Sequence, residues 1–174
     1  MNQYIAFVFL ALLSMTGTAS WAQKCSGQEA TLYEGTTGKK TALVCASPAK
    51  PPFSKIEYRF GNADKVDLSF VADSAGGKKF FAASEAYAPR ASLSHLWFVN
   101  GDTTYVISEC LGGMCPHQGG IVVAKGKKIL ARIKLKDGLF TADDVVDFGN
   151  EKSKTPLIQI KQPDAIDVTS LYDK

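Results

Sequence analysis

The chain has 174 residues, of which 20 are Lys or Arg and 17 are Asp or Glu, giving a formal net charge of +3. A charge this mild permits an anionic partner without requiring one. The length and the lack of repeats or low-complexity segments exclude a large multidomain or fibrous protein, and they predict one ordinary domain.

The N-terminal segment has the features of a secretory signal peptide. Residues 5–15 are almost purely apolar, and Ser20 and Ala22 fit the small-x-small pattern of a cleavage site. We therefore expect a signal peptide over 1–22, a mature domain over 23–174, and a periplasmic or secreted protein. The apolar run is shorter than the ~20 residues of a membrane-spanning helix, so we expect no stable membrane insertion after cleavage.

Four cysteines lie in the mature part of the chain: Cys25, Cys45, Cys110 and Cys115. An even number of cysteines in an oxidising compartment favours disulfide bonds over free thiols. Three pairings are possible. Sequence proximity favours Cys25 with Cys45 and Cys110 with Cys115.

Alternation of apolar and polar side chains with a period of two is the main pattern along the chain. It predicts short strands at 41–45 and 78–84, hairpins at 55–70, 92–110 and 120–136, and a further strand at 156–162. The second hairpin turns at Asn100-Gly101-Asp102, and the third at Lys125-Gly126-Lys127. Helical turns are predicted only at 141–149 and 164–174. We therefore expect an all-β protein, either an antiparallel β-sandwich or a small β-barrel, with at most one or two short helical turns.

Two segments resemble small secreted bacterial β-proteins of unknown function. Segment 44–70 carries a Cys-x-Ser, then Tyr-Arg-Phe-Gly, then Val-x-Leu-x-Phe, and segment 96–108, LWFVNGDTTYVIS, is similar to their aromatic-rich hairpin. The resemblance implies export and a β architecture, and it transfers no functional residue.

The expected architecture is also similar to that of periplasmic lysozyme inhibitors of the membrane-bound and C-type kind. Those proteins insert a Ser-Gly-x-x-Tyr loop into a lysozyme cleft. Here Ser26 and Gly27 are followed by Gln28, Glu29 and Ala30, so the tyrosine is missing. A positive net charge is also the wrong sign for steering toward a cationic lysozyme. A lysozyme- or hydrolase-inhibitor-like module is therefore an alternative function.

The stretch SECLGGMCPHQGG at 108–120 concentrates possible metal ligands. Cys110, Cys115 and His117 could supply three ligands of a zinc site, and Met114 could join Cys115 and His117 around copper(I). The glycines and Pro116 also suit a tight reversal closed by a Cys110–Cys115 disulfide, worth about 2 kcal/mol. We expect this disulfide and no bound metal. A small metal- or thiol-dependent protein centred on this loop is the alternative.

Residues suited to catalysis are sparse, so we predict a non-enzymatic protein without a cofactor. His95 shares a strand face with Leu93 and Trp97, whereas Ser92 and Ser94 point to the other side. A hydrogen-bonded, half-buried histidine is the expected arrangement.

The acidic residues at 143–147 do not follow a calcium-loop register. Asp143, Asp144 and Asp147 are therefore expected at a solvated helix start, where acidic side chains are favourable.

The main candidate binding feature is the basic segment 125–136. Arg132, Lys134 and Lys136 alternate with apolar residues, which predicts a positive stripe along one face of a strand. Such a stripe suits the phosphate or carboxylate groups of an envelope component or of another protein. The alternative is a solvated sheet face whose lysines protect an edge from aggregation. The exported location and the absence of interleaved aromatics argue against nucleic acid.

Aromatic residues of the second hairpin complete the predicted binding set. Trp97 and Phe98 point to opposite faces, so one of them is expected to be partly exposed or to lie under a neighbouring loop. Exposed aromatics are effective binding anchors. We therefore assign Trp97 and Tyr105, together with the three residues of the stripe, to an exported, non-enzymatic binding protein.

Overall fold

The computed structural model describes residues 24–173, so the predicted signal peptide and its cleavage site lie outside the described residues. The described part contains twelve strands and a single 3₁₀ turn at Thr169–Leu171. The strands are β1 Ala30–Thr36, β2 Thr41–Ser47, β3 Lys55–Gly61, β4 Val66–Asp73, β5 Phe80–Ala88, β6 Ala91–Asn100, β7 Thr103–Gly112, β8 Gly119–Lys125, β9 Lys128–Phe140, β10 Val146–Asp147, β11 Lys152–Ser153 and β12 Ile158–Ile160. The predicted all-β class is confirmed.

Ten of these strands form one sheet in the order β12-β5-β6-β7-β8-β9-β1-β2-β3-β4. The neighbours are antiparallel except for β12 and β5, which run parallel and make the sheet mixed. The strands β10 and β11 form a separate small hairpin. The three predicted hairpins correspond to β3–β4, β6–β7 and β8–β9.

The ten-stranded sheet curls so that its two halves face each other. In a flat sheet β4 and β5 would lie eight strand spacings apart, about 38 Å. Residues 74–79, which connect these strands, reach only about 20 Å. The curl brings Phe70 of β4 onto Phe98 of β6, with ring centroids 4.3 Å apart, and edge-on to Phe80 of β5 at 5.2 Å. The result is a sandwich-like fold around an aromatic core.

Each face of the β6–β8 region packs into its own core. Phe98 and Leu96 point inward to the main core, whereas Leu93 and Trp97 belong to a smaller cluster on the outer face. This second cluster is completed by residues 166–172 at the C-terminus, a segment that includes the predicted C-terminal turn. Both members of the adjacent pair Trp97 and Phe98 are therefore buried, one on each side of the sheet.

The structure corrects one local prediction, adds one strand, and agrees with the predicted turn at Asn100-Gly101-Asp102. The segment 141–149 contains turns and β10 rather than a helix, and Val145 and Val146 both enter the main core. Strand β1 was not predicted. In the β6–β7 turn Asn100 still pairs with Thr103, and Gly101 adopts the positive φ of +64°. The glycine is needed because a side chain disfavours that backbone region.

Two disulfide bonds, Cys25–Cys45 and Cys110–Cys115, cross-link the described chain. The first ties the segment before β1 to β2, and the second closes the loop after β7. Two such bonds are typical of a protein in an oxidising, extracellular compartment. None of the helical structure within residues 24–173 is long and apolar enough to cross a membrane.

Candidate functional site

The three residues of the predicted positive stripe lie on one exposed face of β9. Arg132, Lys134 and Lys136 are all exposed, whereas the intervening Ile133 and Leu135 pack into the main core. We call the three residues the basic surface. Strand β9 pairs with β8 from Lys128 to Leu135 and with β1 only from Lys136 to Phe140. At Arg132 and Lys134 one edge of β9 therefore has no strand partner within residues 24–173, and these side chains can also protect that edge from aggregation.

The charges of the basic surface are not neutralised by ion pairs within the described chain. Neither Arg132, Lys134 nor Lys136 forms a salt bridge with any residue of 24–173. The Nε of Arg132 donates to Ser170 Oγ at 2.8 Å. The pKa of Asp167 lies below its ordinary value mainly because Thr169 donates to it, with a small contribution from Arg132.

Lys134 and Lys136 have different surroundings. Positive charge on Lys134, after the larger effect of burial, lowers the pKa of His117. Lys136 lies beside a groove of about 480 Å³ that also includes Glu34 and Asp137. Acidic side chains therefore lie near both ends of the basic surface, Asp167 near Arg132, and Glu34 and Asp137 near Lys136.

The two predicted aromatic residues are not part of the basic surface. Trp97 is only 4% exposed, stacks on Phe81 with ring centroids 4.3 Å apart, and donates from Nε1 to the carbonyl oxygen of Lys161 at 2.8 Å. Tyr105 is half-buried and stacks on Phe98 at 5.1 Å, on the other side of the sheet. Of the two arrangements expected for one member of the Trp97–Phe98 pair, Trp97 has the second: it lies under chain from the C-terminal region and is not an exposed anchor.

The loop 110–117 does not assemble the alternative metal site. Cys110 and Cys115 are joined at 2.04 Å, and a disulfide sulfur is not the thiolate that zinc requires. The ring of His117 stacks on Tyr172 at 4.7 Å, while Met114 is exposed. Within residues 24–173 the one group with metal-ligating atoms close together is Cys25, Glu29 and Cys45, and its two sulfurs are bonded to each other.

His95 is at the centre of a hydrogen-bonded chain that the sequence did not reveal. The Tyr172 hydroxyl donates to Ser108 Oγ at 2.9 Å, so the Ser108 proton is directed to His95 Nδ1 at 3.0 Å. His95 Nε2 then donates to Glu85 Oε1 at 3.0 Å. Ser108, His95 and Glu85 are the residue types of a hydrolytic triad, but Ser108 is fully buried beneath Tyr172. No substrate can reach its hydroxyl in this arrangement.

The predicted acidic group is also dispersed. Asp147 lies in β10 and accepts hydrogen bonds from the backbone and side-chain nitrogens of Asn150, and Lys154 bonds to the carbonyl oxygen of Asp143. These contacts shape a turn, and they account for the Asp147 carboxylate.

Comparison with protein-family models, with curated proteins and with solved structures found no match.

Proposed function

We propose that this protein is an exported, non-enzymatic binding protein, periplasmic or secreted, that binds a linear polyanion of the cell envelope through the basic surface. The observation that carries the proposal is the row of exposed cationic side chains without ion-pair partners in the described chain. Export is supported by the N-terminal signal pattern, by the resemblance to small secreted proteins, and by the two disulfide bonds.

The spacing of the basic surface favours a polymer over a single anion. Side chains two residues apart on a strand project from the same face about 7 Å apart. Arg132, Lys134 and Lys136 therefore present their charges in a line rather than around one point. A chain with recurrent carboxylate or phosphate groups can contact several of them together.

Binding to a soluble anionic polysaccharide tests this proposal. Alginate carries a carboxylate on every sugar unit, and dextran is its neutral control. We expect R132Q/K134Q/K136Q to bind alginate about tenfold more weakly than the wild type, because each exposed ionic contact contributes up to about 1 kcal/mol. The affinity of the wild type should also fall as salt is added. Isothermal titration calorimetry at one ionic strength compares the variants, and a series of salt concentrations with the wild type measures the second effect.

The matched control removes the same charge from elsewhere on the surface. Lys39, Lys50 and Lys152 are exposed and lie outside β9. The variant K39Q/K50Q/K152Q should therefore retain wild-type affinity. Equal weakening of both triple variants would assign binding to net charge alone and overturn the proposed surface. Tighter binding of poly-glutamate than of alginate would assign the surface to an acidic protein instead.

The inhibitor-like and metal- or thiol-dependent alternatives have less support. The Ser26-Gly27 segment lacks the tyrosine of the lysozyme-inhibitor loop, and its neighbour Glu29 is bound to Arg59 at 2.8 Å. The cysteines of the candidate metal loop form a disulfide. Neither alternative has an assembled group comparable to the basic surface.

A further inference from the structure

A cavity of about 580 Å³ lies at the end of β5 and β6, next to the turn between β10 and β11. Its lining includes Ser84, Ser92, Ser94, Phe148 and Glu151. The volume is within the range of pockets that hold small organic ligands. Strands β7 and β8 separate β6 from β9, so this cavity is distinct from the basic surface.

The cavity exists because the inward-facing residues of β5 and β6 become small toward one end of the pair. At the other end Phe80, Leu96 and Phe98 fill the main core. Further along, Ser84 pairs with Ser94 and Ala86 with Ser92, and a β-bulge follows between Ala86 and Ala88. These small side chains cannot fill the space between the sheet and the 148–151 turn. The sequence therefore leaves a polar cavity at a place where the apolar core of a sandwich would ordinarily continue.

The polar groups of this cavity have unused hydrogen-bonding capacity. Ser94 is 4% exposed and lines the cavity, yet its hydroxyl makes no hydrogen bond to another residue of 24–173. The Ser84 hydroxyl lies 3.1 Å from both the Phe148 carbonyl oxygen and Glu151 Oε1. One hydroxyl proton cannot serve two acceptors fully, so the Glu151 carboxylate can accept from a second donor. The Ser94 hydroxyl and the Glu151 carboxylate are therefore both free to bind a molecule that enters the cavity.

The charge of the cavity is opposite to that of the basic surface. Glu85 and Glu151 line the cavity, and the lining residues include no Lys or Arg. Glu85 already bonds to His95 through Oε1 at 3.0 Å, so Glu151 is the carboxylate more available to a ligand. Glu151 also has a φ of +52°, a region that residues with a side chain rarely adopt. Such strain persists where the surrounding structure holds a residue in place, and it is commonest at functional sites.

We propose that this cavity binds a small hydroxylated amine the size of a sugar unit, with an amino sugar as its chemical class. The ammonium group would bind Glu151, and the ligand hydroxyls would bind Ser84, Ser92 and Ser94. The ring of Phe148 provides an apolar wall for the face of the sugar. This site is independent of polyanion binding, because it recognises a cation with different residues.

Titration with glucosamine, followed by ¹H–¹⁵N NMR spectroscopy, tests the proposal. N-acetylglucosamine is the matched probe, because it keeps the ring and most hydroxyls but lacks the positive charge. At a pH where the amine is protonated, we expect saturable shifts confined to the amides of 84–94 and 148–151. Glucosamine should bind about fivefold more tightly than N-acetylglucosamine.

Two variants test separately the contributions of the Glu151 charge and of the cavity volume to sugar binding. Glu151→Gln should remove the preference for glucosamine while weak binding of both sugars remains. Ser94→Leu should fill the cavity and weaken both sugars. Glu34→Gln removes a carboxylate elsewhere on the surface and should change neither affinity. The proposal is overturned by an absence of saturable shifts at these amides, or by equal wild-type affinity for the two sugars.

Discussion

Four charged side chains meet where β3 faces the segment before β1. Arg59 is 5% exposed, and its Nη2 lies 2.8 Å from Glu29 Oε1 and 2.9 Å from Glu57 Oε2. Lys55 approaches the same carboxylates. Burial alone would raise the pKa of Glu57, but hydrogen bonds from Arg59 and Lys55 outweigh it and lower this pKa to about 2. The cluster therefore stabilises the fold only while its carboxylates are ionised.

The pH dependence of stability follows from the direction of this shift. Because the pKa of Glu57 is lower in the folded chain than its ordinary value of 4.5, its contribution is complete above pH 4.5 and is lost as the pH falls toward 2. We expect the free energy of unfolding of the wild type to exceed that of Glu57→Gln by at most about 3 kcal/mol near neutral pH. The difference should shrink through this acidic range. Urea denaturation at several pH values measures it.

Glu34→Gln serves as the control for this pH series. Glu34 is exposed and has no salt bridge within residues 24–173. Its variant should follow the wild-type profile, including the contribution of other buried carboxyl groups such as Glu109. A difference between wild type and Glu57→Gln that stays constant from neutral pH to pH 2 would contradict the assignment to the ion pair.

At the scale of elements, the C-terminal segment 166–172 closes the outer face of the β6–β8 region. Tyr172 is fully buried, donates to Ser108, and accepts from the Tyr87 hydroxyl through its carbonyl oxygen at 3.0 Å. Leu171 and Val168 pack beside it on Leu93 and its neighbours. One short irregular segment thus covers apolar surface that three strands would otherwise expose to water.

Substitution of Tyr172 measures how much this cover stabilises the fold. Tyr172→Ala should lower the free energy of unfolding by about 3–5 kcal/mol, because it empties a large buried site. Tyr172→Phe keeps the ring and removes only the hydroxyl that serves Ser108, so it should cost about 1 kcal/mol. Urea denaturation followed by circular dichroism compares the two. Equal losses in both variants would show that the hydrogen bond, rather than the packed ring, holds the segment.

At the scale of the whole molecule, most strands could be predicted from the sequence, whereas the pairing of distant strands and the segments that pack on each face of the sheet could not. Local alternation was sufficient for the three hairpins because their strands are neighbours in the chain. Strand β1 was missed because a register shift between Thr31 and Tyr33 places the adjacent Leu32 and Tyr33 together in the main core. Alternation also identifies the two faces of β6 without showing what covers each one. The basic surface was predictable from the sequence, whereas the His95 chain and the serine-lined cavity depend on distant residues.

The two disulfide bonds should differ in their contributions to stability. Cys25–Cys45 spans a sequence separation of 20 residues, and Cys110–Cys115 spans 5. If the main effect is restriction of the unfolded chain, C25A/C45A should lose about 3 kcal/mol and C110A/C115A about 2 kcal/mol or less. Urea denaturation of the two double variants measures the difference. A larger loss from C110A/C115A would show that local packing of its loop outweighs chain entropy.

Because β1 pairs with β9, which lies far along the chain, the ten-stranded sheet cannot be complete until β9 is available. Tyr33 is matched with Phe140, although β1 is the first strand and β9 follows most of the chain. A chain synthesised from its N-terminus can pair β1 with β2 early, but the other edge of β1 stays open until residue 140 has emerged. Non-local pairing of this kind slows folding, since loop-closure entropy is lost before the contacts form. Until β9 has paired with it, the open edge of β1 can pair with another chain and needs protection from aggregation.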